Sequence, residues 1–182
     1  MKRWLAVAAA SIALGVTAWV APASASAAPY CGITWGSQPK QAAGGSWGEL
    51  TNVRAGQQVC FDRLVLDVRG GRVGTYWVNY VPEVRTDGAG FLVPLRGGAK
   101  LQVIAAVSDH DGNYRSTYRP ANPAELVNVA GYRTFRQVAY AGSFEATTTV
   151  GLGVRALLPF RVFVLDGPGT GSRLVIDVAH RW

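Results

Sequence analysis

The hexapeptide RLVLDV at residues 63–68 returns as RLVIDV at residues 173–178, with a single Leu-to-Ile change. In an extended strand successive side chains point to opposite faces. Arg63, Val65 and Asp67 then share one face and Leu64, Leu66 and Val68 the other, and Arg173, Val175 and Asp177 against Leu174, Ile176 and Val178 repeat the division. Two arrangements accommodate the repeat. If the copies pair antiparallel in register, Arg63 faces Asp177 and Asp67 faces Arg173, giving two cross-strand ion pairs over an apolar face. Alternatively, each copy holds an equivalent position in one of two halves of a sandwich. Exposed pairs of this kind contribute only about 0–1 kcal/mol each, so their main effect is on register. PFRVFVLDG at 159–167 resembles both copies, but its Arg161 and Asp166 are five apart and fall on opposite faces.

From Val59 onward the chain consists of short β-branched and aromatic runs broken by Gly, Pro, Asn and Asp, with no convincing 3.6-residue period. Strands are predicted near 59–69, 73–81, 99–107, 132–141, 144–156, 159–165 and 172–180, with short ones around 91–95 and 126–129. This pattern predicts an all-β fold, an antiparallel β-sandwich of about seven to nine strands. In TTTVGLGVRA, Val150, Leu152 and Val154 form the buried face, whereas Thr149, Gly151, Gly153 and Arg155 form the face expected to be wet. In GTYWVNYV, Trp77 alternates with Thr75 and Asn79, opposite Tyr76, Val78 and Tyr80.

The first residues read as a secretory signal: Lys2 and Arg3, an apolar run from Trp4 to Val20, then small residues that fit cleavage after Ala27 or Ala28. The expected organisation is a signal peptide at 1–27, an irregular N-terminal arm at 28–58 and a sandwich domain at 59–182. Trp35 and Trp47 of the arm, each followed by glycine, are expected to plug the sandwich edge. Export implies an oxidising compartment, and the mature chain has two cysteines, so one disulfide between Cys31 and Cys60 is the simplest pairing. Without Lys2 and Arg3, 16 basic residues stand against 11 acidic ones, a net charge of +5. These cations are spread without a run, which argues against nucleic acid as a partner and leaves anionic wall polymers or lipid head groups. Membrane contact is expected only through the signal segment.

Catalytic chemistry is poorly supplied. The only histidines are His110 and His180, too few for a three-ligand zinc site without a carboxylate, and no G-x-S-x-G elbow is present. SDHDGNY at 108–114 places Asp109, Asp111 and Asn113 at alternate positions but lacks the EF-hand pattern and reads as a turn. No catalytic residue, metal or cofactor is expected. For a binding module, exposed aromatic rings and arginine forks are the useful groups. Trp77, Asn79 and Tyr80 form the candidate stacking platform, and Arg63 and Arg173 are the candidate anion contacts.

CFDRLVLDV, the closing run from Gly131 to Trp182, and CGITWGS together resemble the AMIN-like domain family of secreted bacterial envelope proteins, over roughly residues 58–182. That family is related to the AMIN module, a β-sandwich appended to N-acetylmuramoyl-L-alanine amidases and pilus secretins. The resemblance implies a secreted, cell-wall-associated module that binds or localises through peptidoglycan. It carries over no binding residue. The rival expectation is a protein–protein module docking on another envelope protein through a sheet edge and a patch at Tyr132, Phe135 and Tyr140.

Overall fold

The structure, a computed structural model, describes residues 29–45 and 48–182. The signal segment and Trp47 lie outside the described residues. As the alternation predicts, the described residues are all-β, and their strands form two five-stranded sheets and a small hairpin. The first sheet has the order β1 (Lys40–Ala42), β4 (Tyr76–Val81), β7 (Ala99–Ala105), β10 (Thr147–Val154) and β9 (Phe135–Phe144). The second has the order β11 (Phe160–Asp166), β12 (Ser172–Ala179), β3 (Phe61–Arg69), β2 (Gly48–Gln57) and β8 (Val107–Ser108). All pairings are antiparallel except that of β2 with β8. Among the described residues no helix is long and apolar enough to cross a membrane.

The inner faces interdigitate in one core: Leu64, Leu66, Leu174, Ile176, Val178 and Phe160 from one sheet, and Val78, Leu101, Val103, Val150, Leu152 and Phe135 from the other. At about 1.5–3 kcal/mol for each fully buried aliphatic or Phe side chain, this burial is the main force closing the sandwich.

The segment expected to be an irregular arm differs from that reading, because Gly48–Gln57 is a ten-residue strand paired along β3. A bulge between Leu50 and Asn52 explains why alternation hid it. Leu50 and Val53 both face the core although they are three apart, since the extra residue resets the period-two pattern. The expected strand near 126–129 is absent; that stretch is turn and loop. The predicted disulfide between Cys31 and Cys60 is present, with Cα atoms 6.4 Å apart, and ties the N-terminal segment to the start of β3.

The face of β10 expected to be wet is covered. Thr149, Gly151 and Gly153 are buried because the segment after β4, carrying β5 (Val84–Arg85) and β6 (Leu92–Val93), crosses that side of the first sheet. A Cβ on Gly151 would stand 2.7 Å from Leu95 Cδ1, and one on Gly153 would stand 2.0 Å from the carbonyl oxygen of Arg96. Arg96 N donates to Gln137 Oε1 at 2.8 Å, and Thr149 Oγ1 donates to Asp87 Oδ1 at 3.0 Å, pinning the crossing segment at two points.

Candidate functional site

The two hexapeptides pair directly. β3 and β12 are neighbours in the antiparallel register that sets Arg63 against Asp177, Val65 against Val175 and Asp67 against Arg173. Their Leu and Ile residues enter the core, which leaves Arg, Val and Asp on the outer face of the second sheet. β11 adds Arg161, Phe163 and Leu165 to that face, and β2 adds Asn52 and Arg54 after its bulge.

The two ends of the repeat behave differently. At one end Arg63 holds Asp177 through Nε at 2.6 Å and Nη2 at 2.9 Å. Arg161, the register partner of Asp177 on β11, adds a bond from Nε at 2.8 Å. The carboxylate is fully buried, whereas the Arg63 and Arg161 side chains remain 29% and 33% exposed. The hydrogen bond to Asp177 raises the Arg63 pKa above its ordinary value. Three rings flank the pair of guanidiniums. Arg161 lies 5.6 Å from the Trp35 ring, 5.4 Å from Phe61 and 5.0 Å from Phe163, and Arg63 lies 5.1 Å from Phe61. Trp35 packs on Phe61 at 5.9 Å, so it closes one end of this face. Such cation–π contacts hold guanidiniums beside rings while part of each remains open to solvent.

At the other end the expected ion pair is missing. Asp67 lies opposite Arg173 in the register, yet its carboxylate turns to β2, accepting from Arg54 Nε at 2.7 Å and Arg54 Nη2 at 3.0 Å. Arg173 is left with one bond, from Nη2 to the Asp166 carbonyl at 3.0 Å, and its Nε is buried without a partner. Beside it lies a hollow of about 380 Å³ lined by Thr51, Arg54, Asp67, Arg69, Ser172 and Arg173, among others. Arg69, on its rim, is bound to Glu49.

The residues proposed from sequence therefore separate into three places. Arg63 and Arg173 lie on the outer face of the second sheet. Trp77 (43% exposed) and Asn79 lie on the outer face of the first sheet, the opposite side of the sandwich, with Trp77 between Gln41 and Ile104. Tyr80 is no platform. It packs against the core, meets Phe160 edge-on at 5.6 Å, donates from its hydroxyl to the Leu158 carbonyl at 2.7 Å, and is pushed by burial up to about 12. Alternation set Tyr80 on the face opposite Trp77 but could not show that this face was the core side or that its hydroxyl was already satisfied. Arg161, Phe61 and Phe163 escaped the sequence reading because that comparison asked whether Arg161 and Asp166 match each other. The informative partner of Arg161 is Asp177, on the neighbouring strand.

Asp109, Asp111 and His180 Nε2 have local partners, whereas His180 Nδ1 is buried without one. Asp111 Oδ1 accepts from the backbone N–H of Asn113 at 2.8 Å and of Arg115 at 2.9 Å, the geometry of a turn. Asp109 bonds to His110 Nδ1 and accepts from Tyr140 Oη at 2.5 Å. His180 Nε2 meets the buried Asp62 at 3.0 Å, where Asp62 also accepts from the backbone N–H of Thr134 and Phe135. Phe135 is buried with Tyr132 stacked on it, so Tyr132, Phe135 and Tyr140 do not form an exposed patch.

Fold and face together define a two-sheet antiparallel β-sandwich that presents an arginine- and aromatic-lined surface on its second sheet. The family model of the AMIN-like domain matches residues 48–180, and the chain belongs to that family. The match begins at the first residue of β2, the strand that supplies Arg54 to the face. No curated protein matches the chain.

Proposed function

We propose that this protein is a secreted, non-catalytic envelope module that holds to the cell wall through the outer face of β11, β12, β3 and β2, with peptidoglycan as the ligand. The observation that carries the reading is the composition of that face. Arg54, Arg63, Arg161 and Arg173 stand against two carboxylates, Asp67 and Asp177, with Trp35, Phe61 and Phe163 at the end nearest Arg161. Peptidoglycan offers sugar rings that stack on aromatic faces and peptide carboxylates that match guanidinium forks. Membership of the AMIN-like family supports the same reading.

Co-sedimentation of the mature protein with washed sacculi stripped of teichoic acid, from low to high salt, tests it. Pelleting that survives high salt, weakens in Trp35→Ala/Phe163→Ala and is unchanged in Trp77→Ala is the expected result. Pelleting that is absent, or lost with modest salt as a screened +5 charge would lose it, sinks the reading. Equal loss in Trp77→Ala would move the contact to the first sheet.

A further inference from the structure

We infer that the hollow beside Arg173 is an oxyanion site, shaped for the carboxylate or phosphate group of a larger ligand, with Arg173 as its principal donor. Buried polar groups in folded proteins are almost always hydrogen-bonded, and the Nε of Arg173 is buried without an acceptor. The acceptor that the register offers, Asp67, is held away by two bonds from Arg54 on the next strand. The arrangement keeps a guanidinium unneutralised at a position where the register sets a carboxylate opposite it. Arg54 and Arg69 reach the same hollow, each with Nε and Nη2 engaged by a carboxylate and Nη1 outside those bonds, and the one carboxylate in its lining, Asp67, is the group that Arg54 holds. A carboxylate or phosphate presents two oxygens that accept parallel N–H bonds from one guanidinium, a fit that a spherical ion or a neutral amide does not reproduce. A volume of about 380 Å³ accommodates such a group together with part of the molecule that bears it.

Only the source of the anion rests on the wall-binding reading. A peptide carboxylate and a polymer phosphodiester present the same chemistry to the fork. Titrating the ¹⁵N-labelled mature chain with acetate, and separately with inorganic phosphate, while following arginine Nε–H resonances, reads the site directly. Expected is a saturable shift of the Arg173 Nε–H with at least one probe. Arg173→Lys, which keeps charge but loses the fork, should weaken that probe about tenfold, the equivalent of one charge-assisted hydrogen bond, followed at the Ser172 amide. Asp67→Asn should tighten it about threefold by removing a competing negative charge.

A shift at Arg173 that stays linear in probe, or that chloride reproduces at equal ionic strength, overturns the site. Sacculi with and without teichoic acid then separate the two sources. Binding to stripped sacculi that weakens in Arg173→Lys assigns peptide carboxylates, and binding that needs the teichoic polymer assigns phosphodiesters. If Arg173 fails to saturate while sacculi still bind, the site falls and the wall reading stands. If Arg173 saturates and no sacculi bind, the wall reading falls and the site stands.

Discussion

Asp67 and Arg173 stand opposite one another across β3 and β12 without an ion pair, whereas Arg63 and Asp177, two rows along, are joined at 2.6 and 2.9 Å. The same two residue types in the same register therefore reach opposite outcomes. The cause lies on the flanking strands. β11 brings Arg161 to Asp177 and reinforces that pair, while β2 brings Arg54 to Asp67 and dissolves the other. One end of the repeat is a satisfied ion-pair cluster, and the other leaves Arg173 without a carboxylate partner.

This asymmetry sets a difference in stability. Asp177 is fully buried between two arginines, so Asp177→Asn leaves two close guanidiniums without their counter-charge. Breaking a buried pair costs about 3–5 kcal/mol, and the partial exposure of both arginines lowers the expectation to about 2 kcal/mol. Asp67→Asn, whose partner Arg54 is half exposed to solvent, is expected to cost no more than about 1 kcal/mol. Urea denaturation of the two variants under one buffer measures both. Equal losses would mean that burial of Asp177 does not govern the stability of this face.

Much of the fold was legible from the chain because its strands alternate cleanly. The antiparallel sandwich and the disulfide follow from patterns within single strands or from two cysteines, and in-register pairing of the hexapeptides was one of two arrangements the repeat allowed, the one the structure adopts. What escaped depends on neighbours that no single strand reveals. The bulge at Thr51 hid β2, and with it Arg54, the residue that decides the fate of Asp67. The crossing segment that buries Thr149, Gly151 and Gly153 comes from 84–96, far from them in sequence. The site was half legible for the same reason. Arg63 and Arg173 were found from their own strands, but Arg161, Phe61, Phe163 and Trp35 acquire meaning only once β11 and the N-terminal segment are placed beside them.

Asp87, where that crossing segment touches β10, gives a pH signature. Burial lifts its carboxyl above the ordinary range, opposed by the hydrogen bond from Thr149, and its Oδ2 is buried without a partner. An acid whose folded pKa exceeds its unfolded one favours the fold when protonated. Its contribution is complete below the unfolded pKa and is lost as pH rises through the folded one. Asp87→Asn keeps an oxygen for Thr149 and stays neutral, so it should be more stable than wild type at pH 7, by no more than about 1 kcal/mol because solvent screens part of the carboxyl. That advantage should shrink toward zero in acid, because wild type recovers stability as Asp87 protonates. Paired denaturation curves across pH 7 to pH 4 test this, since other titrating groups are common to both proteins. A difference that does not change with pH would contradict it.

The glycines beneath the crossing segment separate backbone contact from side-chain contact. A Cβ at Gly153 would collide with the carbonyl oxygen of Arg96 at 2.0 Å, an atom of the segment's own backbone, which cannot retreat without breaking the bond from Arg96 N to Gln137. A Cβ at Gly151 meets the end of the Leu95 side chain at 2.7 Å, which can change rotamer. Gly153→Ala is therefore expected to cost about 3 kcal/mol and Gly151→Ala about 1 kcal/mol, the upper and lower parts of the range for overpacking. Hydrogen exchange adds a local readout, because lifting the segment should accelerate exchange at the Arg96 amide in Gly153→Ala but leave it slow in Gly151→Ala. The outer face of the second sheet lies on the other side of the sandwich, so phosphate or acetate titration of Arg173 should be unaltered in both variants as long as they fold. Parallel losses of stability in the two variants would show that close approach of the Arg96 backbone is not what requires glycine at position 153.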